Sequence, residues 1–126
     1  MDVIGLDHVQ LAMPPGGEEA ARRFYGGVLG LTEVPKPAPL AARGGCWLEG
    51  PGTVVHLGVD EDFRPARKAH PAFLVADLED LQARLAAVGA PVIEDTALPT
   101  VRRCYTEDPF GNRIELIQHG DGFAHR

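Results

Sequence analysis

A repeated unit constrains this chain more than any other feature of its sequence. His8 opens the run Asp-His-Val-Gln-Leu-Ala-Met (7–13), and His70 opens His-Pro-Ala-Phe-Leu-Val-Ala (70–76). Each run leads through a helical pattern to a glycine, Gly30 or Gly89, and then to a strand carrying a second ligand-type residue, His56 or Glu115. From Gly30 to His56 is 26 positions, and from Gly89 to Glu115 is also 26. From His8 to Gly30 is 22 and from His70 to Gly89 is 19; the difference of 3 falls where the first copy carries the loop Pro14-Pro15-Gly16-Gly17. A fixed period of this kind marks stacked copies of one supersecondary unit.

Taken in order, each copy reads as strand–helix–strand–strand–strand. Residues 3–13 read as the first strand, with Val9 and Leu11 on one side and His8, Gln10 and Ala12 on the other. Residues 18–29 read as a helix with an apolar stripe of Ala21, Phe24, Tyr25, Val28 and Leu29, stopped by Gly30. A short strand over 31–34 precedes a proline-rich loop at 35–42. Strands at 43–49 and 53–59 follow, joined by Gly50-Pro51-Gly52. In the second copy, a strand over 70–76 leads to a helix with Asp77 as N-cap and Leu78, Leu81, Leu85 and Val88 as its stripe. Strands at 91–94, 101–107 and 113–118 complete it, with Asp108-Pro109-Phe110-Gly111-Asn112 as a turn.

Neither copy can bury both faces of its strands alone. The expected fold is therefore α+β: paired βαβββ modules forming a curved eight-stranded mixed sheet, with helices on the outer face. The expected boundaries are about 3–59 for the first module, a connection at 60–69, about 70–118 for the second, and a fraying tail at 119–126, all within one domain. A net charge of −6 and the lack of a Lys/Arg-rich run argue against nucleic acid or an anionic membrane as a partner. No apolar run approaches a membrane span, and the N-terminus lacks a basic-then-apolar leader. Cys46 and Cys104 form no CxxC pair and suit a reducing compartment, so a cytoplasmic location is expected.

Strand parity puts the ligand-type residues opposite the faces that pack under the helices. A single strand histidine is ordinarily a hydrogen-bonded residue, and Glu115 by itself would pair with Arg113. Four such residues at repeat-equivalent positions point instead to a metal site made of His8, His56, His70 and Glu115. Three imidazoles and a carboxylate suit one divalent Fe, Zn, Ni, Co or Mn ion far better than Ca or Mg. Glu115 is the candidate catalytic residue, holding the metal and shuttling a proton. Gln10, Trp47, Arg103 and Tyr105 are candidate substrate-binding residues, and Arg43 is a further candidate for the cavity lining.

The segments Leu6-Asp7-His8-Val9-Gln10-Leu11, Phe24-Tyr25…Leu29-Gly30-Leu31, His70-Pro71-Ala72-Phe73 and Asp108-Pro109-Phe110-Gly111-Asn112-Arg113-Ile114-Glu115-Leu116 together resemble the vicinal oxygen chelate superfamily. That group includes glyoxalase I, methylmalonyl-CoA epimerase, fosfomycin-resistance proteins, extradiol dioxygenases and bleomycin-resistance proteins. The resemblance covers about residues 4–118 and implies ligands at His8, His70 and Glu115, with His56 at the variable fourth position. It also implies a homodimer with sites shared between two chains. Glyoxalase I has a carboxylate where this chain has His56, and the epimerase has an amide there. Fosfomycin-resistance proteins add a cationic phosphonate pocket, for which this chain shows no obvious Lys/Arg cluster. A fourth protein ligand would fill a position that dioxygenase chemistry needs. The expected function is a metal-dependent lyase, isomerase or ring-cleaving dioxygenase acting on a small substrate with vicinal oxygens. The alternatives are a drug- or metabolite-binding protein without catalysis and, more weakly, a metal-storage site.

Overall fold

The computed structural model describes residues 2–120; most of the expected tail, 121–126, lies outside the described residues. The chain divides into two compact units between Pro65 and Ala66.

The first module contains β1 (Val9–Met13), α1 (Glu18–Ala21), β2 (Thr32–Val34), α2 (Ala38–Ala41), β3 (Cys46–Gly50) and β4 (Thr53–Val59). Its sheet runs β1-β4-β3-β2, with β1 parallel to β4 and the other pairs antiparallel. Leu11, Met13, Cys46, Leu48, Val55 and Leu57 form the buried face, together with Ala21, Phe24, Tyr25 and Val28 from the helix. Burying each of the larger of these side chains contributes about 1.5–3 kcal/mol. Gln10, Trp47 and His56 alternate with them and share the opposite face, because Gln10 and Trp47 both stand directly across from His56.

Three sequence expectations change here. The first strand begins at Val9, not at residue 3: Val3, Ile4 and Leu6 are exposed and outside any strand. Apolar character alone does not make a strand without a ladder partner. The helix keeps α geometry only over Glu18–Ala21 and continues as a π-helix over Arg22–Val28, where the Leu29 N–H donates to the Phe24 carbonyl at 2.9 Å. Widened turns of this kind sacrifice ideal i→i+4 bonding, and here Phe24, Tyr25 and Val28 are all buried. Within the proline-rich loop, Ala38–Ala41 forms one helical turn, with proline accommodated near its start.

The second module contains β5 (Ala72–Val75), α3 (Leu78–Ala87), β6 (Ile93–Glu94), β7 (Arg103–Glu107) and β8 (Arg113–Gln118). Its sheet repeats the first topology as β5-β8-β7-β6, with β5 parallel to β8. Both sheets are thus four-stranded and mixed. The Asp77 carboxylate accepts the Asp80 N–H at 3.0 Å, so the N-cap is the expected one. Leu78, Leu81 and Leu85 are buried, but Val88 is exposed, because the chain leaves helical geometry there before Gly89 turns at φ +75°. Gly30 makes the equivalent turn in the first module at φ +83°.

The turn between β7 and β8 owes its shape to two buried polar residues. The Asp108 carboxylate accepts the backbone N–H groups of Phe110 and Asn112 and the Asn112 side-chain amide, each at 2.9 Å. The Asn112 side-chain oxygen in turn accepts the Ala66 N–H at 2.9 Å. Two backbone bonds extend this tie, from Arg113 N–H to the Ala66 carbonyl and from Glu115 N–H to the Pro71 carbonyl. The segment entering β5 is therefore laced to the start of β8, which sets His70 beside Glu115 and Arg67 near Arg113.

Candidate functional site

In the first module three rings are stacked on the face away from the helix. The Trp47 and His56 rings are 4.0 Å apart and nearly parallel, and the His8 ring lies 4.2 Å from His56. Cross-strand pairing explains the first contact, since Trp47 of β3 stands opposite His56 of β4. His8 precedes β1, and its Nδ1 is 2.9 Å from the Asp7 carboxylate. Burial, and then the neighbouring His8, push the His56 pKa below the usual imidazole value. His56 is thereby favoured in the neutral form that a metal ligand requires. The Gln10 side chain lies across Gly58, at the end of the same face.

In the second module Glu115 is buried, yet both of its oxygens are engaged. His70 Nε2 is 3.0 Å from Oε1, and Arg103 Nη1 donates to Oε2 at 3.1 Å. Arg103 also donates from Nη2 to Asp95 at 2.9 Å. Burial opposes the Arg103 charge, but the Glu115 hydrogen bond and the Asp95 charge outweigh it, so the guanidinium pKa lies above its ordinary value. Arg113, with which a lone Glu115 would pair, is not its partner; His70 and Arg103 are. The Arg113 guanidinium lies over the Tyr105 ring instead, 4.0 Å from its centre. Tyr105 stands directly opposite Glu115 and meets the His70 ring edge-on at 5.4 Å.

His70 is held by oxygen on both sides. Its Nδ1 is 2.8 Å from the Lys68 carbonyl, and its Nε2 faces the Glu115 carboxylate. A neutral imidazole donates only one hydrogen bond. The second contact therefore calls for an extra proton, or for a cation shared by Nε2 and the carboxylate. Two ligands about 2.1 Å from a first-row divalent ion stand about 3.0 Å apart on adjacent corners of an octahedron and about 3.4 Å apart in a tetrahedron. The 3.0 Å separation is that of an ordinary hydrogen bond and equals the octahedral spacing, and the donor types suit such a metal.

The structure thus brings His8 to His56, and His70 to Glu115. Of the candidate substrate-binding residues, Gln10 and Trp47 share the His56 face, while Arg103 and Tyr105 flank Glu115. Within either module, among the described residues, no group of three His, Cys, Asp or Glu side chains is placed to hold a metal ion. Sequence reasoning missed Asp95 as the Arg103 partner and Asp7 as the His8 partner. Asp7 is adjacent in sequence and could have been found. Asp95 lies in a loop beyond β6 and carries no local signal.

A family profile for the glyoxalase-like domain matches residues 14–117. A glyoxalase family protein from Bacillus anthracis is 47% identical, with a TM-score of 0.88 over 94% of this chain and 97% of that one. A glyoxalase/dioxygenase from Nostoc punctiforme, at 23% identity, has a TM-score of 0.69 over 89% of this chain and 90% of its own. The fosfomycin resistance protein FosX from Listeria monocytogenes, at 15% identity, has a TM-score of 0.75 over 94% and 96%. These two show a shared fold. No curated protein matches the chain. Repeat, topology and the 47% relative agree: the chain belongs to the glyoxalase-like domain family of the vicinal oxygen chelate superfamily.

Proposed function

We propose that this protein is a metal-dependent enzyme of the glyoxalase/dioxygenase type, acting on a small substrate with vicinal oxygens. His8, His56, His70 and Glu115 are its ligand set. The observation that carries this reading is the 3.0 Å approach of His70 Nε2 to the buried Glu115 carboxylate. A buried carboxylate is expensive unless paired or metal-bound. When bound, the metal supplies Lewis-acid stabilisation of negative charge developing on the substrate oxygens.

The chain's own residues do the rest. Arg103 anchors one Glu115 oxygen and fixes the direction of the other. The Lys68 carbonyl engages His70 Nδ1, so Nε2 is the nitrogen presented to a ligand. Glu115 is the group placed to hold a proton during isomerase or lyase chemistry. Gln10, Trp47 and Tyr105 orient substrate. The same reading takes the protein as a cytoplasmic homodimer. It fits two free, buried cysteines, and no described helix is long and apolar enough to cross a membrane.

A second reading, ligand sequestration without catalysis, is favoured by the stacked Trp47–His56–His8 surface. His8, at one end of this stack, is exposed, and the face of an end ring suits a planar ligand. Elemental analysis after anaerobic reconstitution with Fe(II), Zn(II), Ni(II), Co(II) and Mn(II) separates the two. The enzyme reading requires about one tightly held ion per site and its loss in His70→Ala and Glu115→Ala. Full metal occupancy in either variant would overturn the ligand assignment, and no metal under any condition would favour sequestration.

A further inference from the structure

The first module offers two ligand-type histidines, and their rings do not fit one ion together. His56 of β4 lies between two rings, with Trp47 at 4.0 Å and 1° and His8 at 4.2 Å and 25°. Strand order explains the sandwich. β4 runs between β1 and β3, so β3 supplies Trp47 from one side and the residue preceding β1 supplies His8 from the other. Gln10 stands directly across from His56, but its side chain turns over Gly58 and leaves the place beside His56 to His8.

An imidazole nitrogen offers its lone pair in the plane of the ring. An ion bound at about 2.1 Å therefore lies in that plane, about 3 Å from the ring centre. The His8 and His56 ring centres are 4.2 Å apart, and a 25° tilt brings their two planes together only about 9 Å away. No point at bonding distance lies in both planes. The rings cannot share one plane side by side around an ion either, because at this separation of centres their carbons would overlap. As they stand, one ion takes one of these histidines and not both.

Hydrogen bonding selects which one. A metal-bound imidazole ordinarily has its other nitrogen held by an oxygen, which fixes the ring. His8 Nδ1 is 2.9 Å from the Asp7 carboxylate, and His70 Nδ1 is 2.8 Å from the Lys68 carbonyl. The His56 ring has no hydrogen bond among the described residues. It is buried within the stack, whereas His8 is exposed at its end and keeps Nε2 for a ligand.

We propose that the first module contributes a single metal ligand, His8, and that His56 is a positioning residue, a flat ring backed by Trp47 that sets the plane of His8. This inference rests on the metal-enzyme reading and narrows its ligand set, from which His56 drops out. One protein ligand fewer leaves one more coordination position for oxygens of water or substrate. Trp47 acts at one remove: it fixes His56, and His56 fixes His8.

The test loads the full-length chain with Zn(II) or Co(II) and measures affinity and metal content for wild type, His56→Phe and His56→Ala. His56→Phe keeps a flat ring and should bind metal within about threefold of wild type, whereas His56→Ala removes the stack and should bind about tenfold more weakly, as loss of an orienting partner does. Neither side chain offers a ligand atom, so the difference between the two variants reads positioning and not ligation. Loss of metal from folded His56→Phe, or wild-type affinity in His56→Ala, overturns the proposal and leaves the metal reading standing. A wild-type chain that holds neither metal overturns both. Ring-nitrogen NMR of the histidine-labelled, Zn(II)-loaded wild type needs no variant, so it decides the matter where His56→Phe fails to fold. His8 Nε2 should show a metal-bound shift and both His56 nitrogens the shifts of an unligated ring. A metal-bound shift at His56 overturns the proposal.

Discussion

His70 Nε2 stands 3.0 Å from Glu115 Oε1, while Arg103 holds the other oxygen of the same buried carboxylate. Removing Arg103 would leave Glu115 buried with one partner fewer, and Asp95 with none of the hydrogen bonds seen from this side chain. Arg103→Met should therefore cost about 3 kcal/mol, as for other broken buried pairs. Denaturant unfolding of the metal-free protein checks this. The double variant Arg103→Met/Glu115→Gln should cost less than the sum of the two single changes. Strict additivity would mean that the pair is not energetically coupled.

His56 provides a pH prediction. Its folded pKa lies below 6.5, because burial and then His8 disfavour the imidazolium. Between that folded pKa and 6.5 the unfolded chain binds more protons than the folded one, so stability rises with pH in this window. Acidification of metal-free protein should thus begin to destabilise it as pH falls through 6.5, with the loss complete below the folded pKa. His56→Gln should flatten that part of the stability profile. An NMR titration placing His56 at or above 6.5 would contradict the argument.

Glu18 and Gly45 make a second pH-sensitive contact in the first module. The Gly45 N–H donates to Glu18 Oε2 at 2.8 Å, and this bond, above all, lowers the Glu18 pKa below 4.5. The contribution is present above 4.5 and is lost as pH falls through the lower folded value. Gly45 itself sits at φ +81°, where an added Cβ would meet the Leu57 carbonyl oxygen at 2.0 Å. Gly45→Ala should therefore destabilise by well over the about 1–2 kcal/mol of a left-handed alanine alone. A thermal or denaturant midpoint within error of wild type would refute this packing constraint.

Cys46 and Cys104 are free and buried, and burial raises both thiol pKa values. Thiolate is the reactive form. At pH 8 a thiol reagent should modify the native protein slowly at both positions and the unfolded chain rapidly. Fast labelling of either cysteine in the native state would point to local opening of its sheet.

Much of this protein is written in local pattern. The 26-residue spacing, the alternation along β4 and β8 and the Asp77 cap are visible without coordinates, since strand and helix periods are properties of neighbouring residues. The repeat marked His8, His56, His70 and Glu115 as equivalent positions, and the motif segments around His8, His70 and Asp108–Leu116 carried the resemblance to the family. Tertiary structure decided what depends on reach. Arg103, not Arg113, takes Glu115: both can approach it on one face, but the Tyr105 ring captures Arg113. Val3, Ile4 and Leu6 look like strand yet lie outside any strand, because a strand exists only where a neighbour completes its ladder. The bond from the Ala66 N–H to the Asn112 side chain joins residues 46 positions apart. No local period encodes that distance; packing and the satisfaction of buried polar groups do.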